Sequence, residues 1–243
     1  GVYWSWTASM DEGWTRFWFD MFKIPFTPLR PEDVRAGKLK DRVDVILFAS
    51  VDGRSLTGGP RDRRLPEVYK GGLGLEGRAA LEEFVGAGGT MVCMNASSAL
   101  ALQMFDLPVE RVGRGGGRGR RGDGTQPRAP RTYIPGSVVR ALVDTKHPLG
   151  VGCNTVTPIF LRQARPFGLK PGDTDVKVSF PVRYVDENLV AGGFAEGAEV
   201  LHGKAAAAVC EVGQGKVVLF AFSPQFRCQT WSTFRLLLNA LLL

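Results

Sequence analysis

Histidine is nearly missing from this chain: 243 residues hold only His147 and His202. Neither has a glutamate three positions on, so the H-x-x-E pattern of a zinc peptidase does not occur. Cysteine is scarce too. Cys93, Cys153, Cys210 and Cys228 form no C-x-x-C pair, and two histidines cannot complete a tetrahedral centre with cysteines so far apart. No metal ligand set and no cofactor are therefore expected. Cys93 and Cys210 lie in apolar, strand-like runs and read as small buried hydrophobes. Without a sign of an oxidising compartment, no disulfide is expected. No apolar run reaches the length that crosses a bilayer as a helix, so no membrane partner is expected. The start, Gly1-Val2-Tyr3-Trp4-Ser5-Trp6, has no basic stretch and no cleavage site, which excludes a signal peptide there. It also lacks an initiator methionine and opens inside a strand-like segment, as a piece of a longer chain would. The compartment is not readable from these residues.

Apolar residues make up 44% of the chain, ample for one α/β domain spanning 1–243. The formal charge of +7 is local rather than general. Segment 110–132 carries seven arginines against Glu110 and Asp123, a net +5, and leaves +2 for all the rest. Within it, Gly113 to Gly124 contains only Gly, Arg and one Asp. Such a stretch buries no apolar area and reads as a mobile insertion. It resembles an RGG tract, which would bind nucleic acid or another anionic surface through phosphate contacts. It has no aromatic for base stacking and the remainder is almost neutral, which favours a solvated, compositionally biased insertion over a nucleic-acid partner.

The pattern along the chain alternates strand and helix. Residues 1–6 read as a strand, and Ser9-Met10-Asp11-Glu12 as a capping box. Trp14, Phe17, Trp18, Met21 and Phe22 follow at i, i+3, i+4, i+7 and i+8, an apolar helix face expected mainly in the core. Trp4, Trp6 or Trp18 are candidates for an interface with a catalytic domain outside this sequence. A short strand at Phe26–Leu29 and a helix from Pro31 to Gly37 come next. Val43–Ala49 reads as a buried strand, 50–75 as a long loop, 76–87 as a helix, Thr90–Met94 as a buried strand and Ala96–Phe105 as a helix. The second half offers strands at Val138–Val143, Val178–Val185 and Leu189–Gly193. A hairpin follows at Ala205–Val212 and Lys216–Phe222, then a closing helix at Trp231–Leu242. This alternation predicts an α/β fold. It is flavodoxin-like, a doubly wound, mostly parallel sheet with helices on both faces, and carries an antiparallel hairpin in its C-terminal half.

Several segments carry a resemblance. Phe222-Ser223-Pro224-Gln225-Phe226 follows the apolar run Val217–Ala221 as the F-H-P-E segment does in class I glutamine amidotransferases. Ser5 to Arg16, Gly71-Gly72-Leu73-Gly74 with Gly77, Phe84 to Thr90, Pro135-Gly136-Ser137, His147-Pro148-Leu149 and Gly215 to Phe220 belong to the same pattern. Together they resemble the glutamine-amidotransferase-like domain that lies C-terminal to the catalytic domain in some bacterial zinc carboxypeptidases of the M14 family. The resemblance covers nearly the whole chain; the long basic segment 110–132 departs from it. It implies an accessory domain whose partner is a zinc carboxypeptidase domain in the same parent chain. Its roles would be substrate presentation, interdomain packing or contacts within a homo-oligomer. A parent of that kind would be secreted or periplasmic.

Amidotransferase chemistry needs a cysteine thiolate on a strained strand-to-helix turn, a histidine to activate it and a glutamate to orient that histidine. The resemblance puts Ser223 at the histidine position and Gln225 at the glutamate position. The turn falls in the window Met94, Asn95, Ala96 and Ser97, which holds no cysteine. Three vacancies imply that no catalytic residues remain. The competing reading is an active hydrolase or amidotransferase with a displaced triad, using Cys93, Ser97 or Ser98. It would still need a base, and His147 and His202 read as surface residues. Asp11 and Glu12, at a helix start beside a strand end, are the best-placed carboxylates, although capping alone accounts for them. A candidate pocket for a carboxylate or peptide end comprises Asp11, Glu12, Arg16, Gln225 and Arg227.

Overall fold

The structure, a computed structural model, describes residues 1–60, 62–112, 132–172 and 174–243. The Gly/Arg run Gly113–Gly124 that suggested a mobile insertion lies outside the described residues. The elements run β1 (Val2–Tyr3), α1 (Met10–Met21), β2 (Pro28–Leu29), α2 (Pro31–Arg35), β3 (Val45–Phe48), α3 (Gly53–Gly58), α4 (Gly74–Gly86) and β4 (Thr90–Met94). They continue with α5 (Ser98–Met104), β5 (Val109–Arg111), β6 (Tyr133–Val143), β7 (Val156–Leu161), β8 (Phe167–Leu169), β9 (Val178–Tyr184), β10 (Val190–Glu196), β11 (Ala205–Val212), β12 (Gly215–Phe220) and α6 (Trp231–Ala240).

One twelve-stranded sheet joins two regimes. Its parallel part has the order β2-β1-β3-β4-β12, with Val45 to Phe48 paired to Thr90 to Cys93, and Thr90 to Met94 paired to Lys216 to Phe220. From β12 onward the sheet turns antiparallel through β11, β9, β6 and β10, with β7 also on β6 and β8 on β11. The mixed α/β architecture expected from the sequence is therefore present, and its antiparallel part is larger than one hairpin.

Alternation along the parallel strands sorts the core into two layers, as a period of two requires. Val2, Leu47, Val92, Met94, Val218 and Phe220 point to one face, where α1 and α6 supply Trp18, Phe19, Phe234 and Leu237. Tyr3, Ile46, Phe48, Met91, Cys93, Val217 and Leu219 point to the other, against Val34 of α2, Leu81 and Phe84 of α4, and Leu100 of α5. The β11–β12 hairpin closes with a two-residue turn whose first position, Gly213, has φ +59. Gly215 follows; a Cβ there would sit 2.3 Å from the Val85 carbonyl oxygen, so the hairpin lies directly on the end of α4.

Several sequence expectations need correction. The stretch 50–75 is not one loop, because Asp52 caps α3 by accepting from the Arg54 and Ser55 amides. Strands β5, β7 and β8 were unforeseen, and β9 and β10 do not pair with each other; both pair with β6. On α1 the apolar stripe is not all core. Trp18 is fully buried, which removes it as an interface candidate, while Phe17, Met21 and Phe22 are exposed. The Ser9 half of the capping box forms, with the Glu12 amide donating to Ser9 Oγ at 3.2 Å, but the Glu12 carboxylate turns to Arg16 instead. Among the described residues no helix is long and apolar enough to cross a membrane, and all four cysteines are free.

Candidate functional site

The C-terminal ends of the parallel strands open into a cleft of ≈ 600 Å³. Open α/β sheets gather ligands at this edge because the βα turns converge there. Residues after β1 (Thr7 to Asp11), β3 (Ser50 to Asp52), β4 (Asn95, Ala96) and β12 (Ala221 to Ser223) form one side. The end of β7, from Phe160 to Arg165, forms the other.

The floor of the cleft is the β4 turn. β4 is buried throughout and ends at Met94, and the next residue, Asn95, has φ 48, the left-handed region that disfavours side chains. A 3₁₀ turn Asn95–Ser97 then feeds α5. Asn95 lies in the Met94–Ser97 window to which the resemblance assigns the nucleophile turn, and asparagine tolerates the strain there without supplying a nucleophile. Its backbone is pinned. Arg111 Nη2 donates to the Asn95 carbonyl at 2.6 Å and to the Ala96 carbonyl at 3.3 Å, and the Ala96 amide donates to Ser50 Oγ at 3.3 Å.

The alternative nucleophiles are locked. Cys93 is fully buried and burial pushes its thiol well above the usual range. Ser97 Oγ donates to the Met94 and Phe48 carbonyls at 2.8 and 2.9 Å, and Ser98 Oγ to the Cys93 and Phe220 carbonyls at 3.3 and 3.2 Å, both without exposure. His147 does meet a serine, with Nε2 3.0 Å from Ser179 Oγ. The Leu149 amide, however, donates to His147 Nδ1 at 3.0 Å. The proton of the neutral ring is therefore on Nε2, which donates to Ser179 and cannot take its proton. His202 is exposed in a turn.

Ser223 and Gln225, which the resemblance puts at the histidine and glutamate positions, both bond to the start of α1. Ser223 is buried at the mouth of β12, and its Oγ donates to Asp11 Oδ2 at 3.0 Å. Gln225 is fully buried, and its Nε2 donates to Thr15 Oγ1 at 2.7 Å; Thr15 Oγ1 donates on to the Asp11 carbonyl at 2.7 Å. Two hydrogen bonds thus tie the segment after β12 to the first turns of α1. Burial raises the pKa of Asp11, opposed first by the Ser223 hydrogen bond, then by the charge of Arg162 and a hydrogen bond from Ser50.

The five residues expected to share a pocket do not converge. Asp11 lines the cleft. Gln225 lies inside the protein, and Arg227 is outside the cleft lining, its Nη2 3.9 Å from Met10 Sδ, although its charge still lowers the Asp11 pKa. Glu12 and Arg16 form an ion pair instead, with Arg16 Nε 2.6 Å from Glu12 Oε1 and Arg16 Nη2 donating to Glu12 Oε2 at 3.3 Å. Arg16 also stacks on Trp4 at 4.2 Å, and Arg30 lies 3.3 Å from the Trp4 ring centre and 3.7 Å from that of Trp6. Trp4 and Trp6 are thus engaged by arginines. Missing from the sequence expectation were Ser50, Asp52, Arg162 and Arg165. The D-G-R-S stretch at Asp52–Ser55 was the one local signal, a helix N-cap; the two arginines had none. Among the described residues no group of histidines, cysteines and carboxylates could hold a metal ion.

No family model matches the chain, and no curated protein matches its sequence. Solved structures do match its fold. A ThuA-like protein of Bacteroides uniformis superposes with TM-score 0.53 at 12% identity, covering 98% of this chain and 87% of the other. A GMP synthase subunit of Thermoplasma acidophilum gives 0.53 at 7% identity, over 99% and 91%. A cytoplasmic protein of Salmonella typhimurium gives 0.55 at 12% identity, over 99% and 96%. The chain has an amidotransferase-like fold. At these identities the likeness extends to the fold and no further.

Proposed function

We propose that this chain is a binding domain of amidotransferase-like fold without thiol amidotransferase chemistry, and that it serves as the accessory domain of an M14-type zinc carboxypeptidase. One observation carries the first half. The strained turn is kept at Asn95, but the nucleophile position is an asparagine, and Ser223 and Gln225 bond to Asp11 and Thr15 rather than to a catalytic partner. A thiol mechanism requires an exposed sulfur, and Cys93 is fully buried. The cleft is concave and brings a few charged groups, Asp11, Arg162 and Arg165, together beside Phe160 and Phe226, as a ligand site does. The second half rests on the sequence segments, above all Ser5 to Arg16 and Gly215 to Arg227, that resemble the accessory domain.

Glutaminase and esterase assays on the wild type and on Cys93→Ala test the first half. Neither protein should turn over substrate above the buffer rate; glutamine hydrolysis lost in Cys93→Ala would overturn it. The second half is tested by the reading frame upstream of Gly1, which should encode a zinc-peptidase motif. Another enzyme in that place would overturn the assignment.

A further inference from the structure

On one side of the cleft the arginines are not held in close ion pairs. Arg162 and Arg165 line the wall at the end of β7, and Arg111 braces the Asn95 turn. Among the described residues none of the three forms an ion pair with a carboxylate; Arg165 has only Gln163 Oε1, at 2.6 Å. Among the described residues the buried Arg111 Nε meets no hydrogen-bond partner. Burial lowers the pKa of Arg165, and brings that of Arg111 down to about 10, the nearby charge of Arg165 being the next cause. An anion beside Arg165, on the wall it shares with Arg162, offsets the cost of half-burying that charge next to Arg111.

The opposite side limits what that anion can be. Asp11 and Asp52 also line the cleft. Asp52 is committed to α3, where it accepts from two amides and from Ser55 Oγ at 2.6 Å. Asp11 faces the cleft as an acceptor. A compact dianion would meet both carboxylates, whereas a monoanion with a donor group at its far end would meet the arginines with one end and Asp11 with the other. Phe160 and Phe226, with ring centres 4.6 Å apart, supply an apolar wall for a short carbon skeleton between the two ends.

We propose that the cleft binds a small organic monocarboxylate bearing a hydroxyl or ammonium group, its carboxylate on Arg162 and Arg165 and its donor group on Asp11. This deepens the reading of the cleft as a binding site and depends on it. The planar fork of arginine matches a carboxylate with two parallel hydrogen bonds, which fixes the ligand's direction in the cleft.

Calorimetric titration of the intact chain with glycolate, glycine, acetate and inorganic phosphate tests the proposal. Glycolate or glycine should bind saturably and more tightly than acetate or phosphate. Arg165→Gln should weaken that binding about tenfold or more, the effect of losing a charge-assisted hydrogen bond. Arg162 is exposed on the rim, so Arg162→Gln leaves the fold intact and should weaken binding as well. Asp11→Asn should narrow the preference over acetate. Absence of saturable binding, phosphate binding tightest of the four, or unchanged affinity in both arginine variants would overturn the proposal. Glutamine turnover is followed in the same samples. Turnover would refute the binding-domain reading itself, whereas silence in both measurements would refute only the ligand assignment.

Discussion

Gln225 Nε2 and Thr15 Oγ1 lie 2.7 Å apart, a buried hydrogen bond that joins the segment after β12 to α1 across 210 residues of sequence. The amide can donate where a carboxylate cannot. Thr15 already spends its proton on the Asp11 carbonyl, so its oxygen needs a donor from the other side. Gln225→Glu, which restores the residue type of an active amidotransferase, would set an acceptor against an acceptor and bury a charge. The expected loss is on the order of 3 kcal/mol at neutral pH, as for a buried charge left without a partner. Protonation at lower pH supplies the missing donor, so the loss should shrink toward pH 4. Urea midpoints at the two pH values check this, and an equal loss at both would contradict it.

Asp11 gives a second pH signature. Its folded-state pKa is raised, chiefly by burial, above the value in an unfolded chain. Above the folded pKa its charge therefore subtracts from stability. As pH falls through that value, the native state takes up its proton before the unfolded state does, and the penalty is removed. Asp11→Asn should thus gain on the wild type at pH 7 and lose that advantage as pH falls toward the unfolded value. Glu12, also raised by burial, contributes with the same sign in both proteins and cancels in the comparison. A gap between wild type and variant that does not move with pH would exclude the assigned cause.

How far the site was legible follows from which contacts are local. β4 was readable because four apolar residues, Met91 to Met94, stand just after Gly88-Gly89-Thr90, and the strained turn follows from where β4 ends. The stripe Trp14, Phe17, Trp18, Met21 and Phe22 fixes a helical period but not the angle at which that helix meets the sheet. The core took Trp18 and Phe19 and left Phe17 outside for that reason. β7 was hidden by Pro158, which fits because among the described residues β7 pairs only with β6. Arg162 and Arg165 carried no local signal at all. They reach the cleft only because the pairing of Ser137 with Leu161 brings the end of β7 beside the parallel strands. Sequence periodicity does not encode such a juxtaposition. The partners of Ser223 and Gln225, 212 and 210 residues away, were unreadable on the same grounds.

The cysteines divide by burial. Cys93 and Cys210 have no exposed surface, and burial raises both thiols. Cys153 and Cys228 are partly exposed. A short maleimide pulse on the native protein, read by peptide mass, should label Cys153 and Cys228 and leave Cys93 and Cys210 unmodified. Labelling of all four should follow in denaturant. Modification of Cys93 at a rate close to that of Cys228 would mean that the β4 turn opens to solvent, and would revive Cys93 as a nucleophile.

Asn95 decides whether the strained turn is a fold requirement or a remnant of chemistry. Its φ of 48 costs an L-residue with a Cβ roughly 1 kcal/mol, less for asparagine, whose side chain bonds locally, and nothing for glycine. Asn95→Ala should therefore destabilise by about 1 kcal/mol, while Asn95→Gly should be near neutral, its easier φ offset by the entropy of a freer unfolded chain. Arg111 holds the turn through the Asn95 and Ala96 carbonyls, which neither substitution removes, so the backbone should stay in place in both. Thermal unfolding of the three proteins gives the order. Alanine as stable as asparagine would mean that the turn relaxes, whereas the expected order shows it held by the surrounding strands. In that case Asn95→Cys would stand on a preformed elbow. Its thiol should react with maleimide faster than Cys93, yet hydrolyse no glutamine, because Ser223 and Gln225 supply no base.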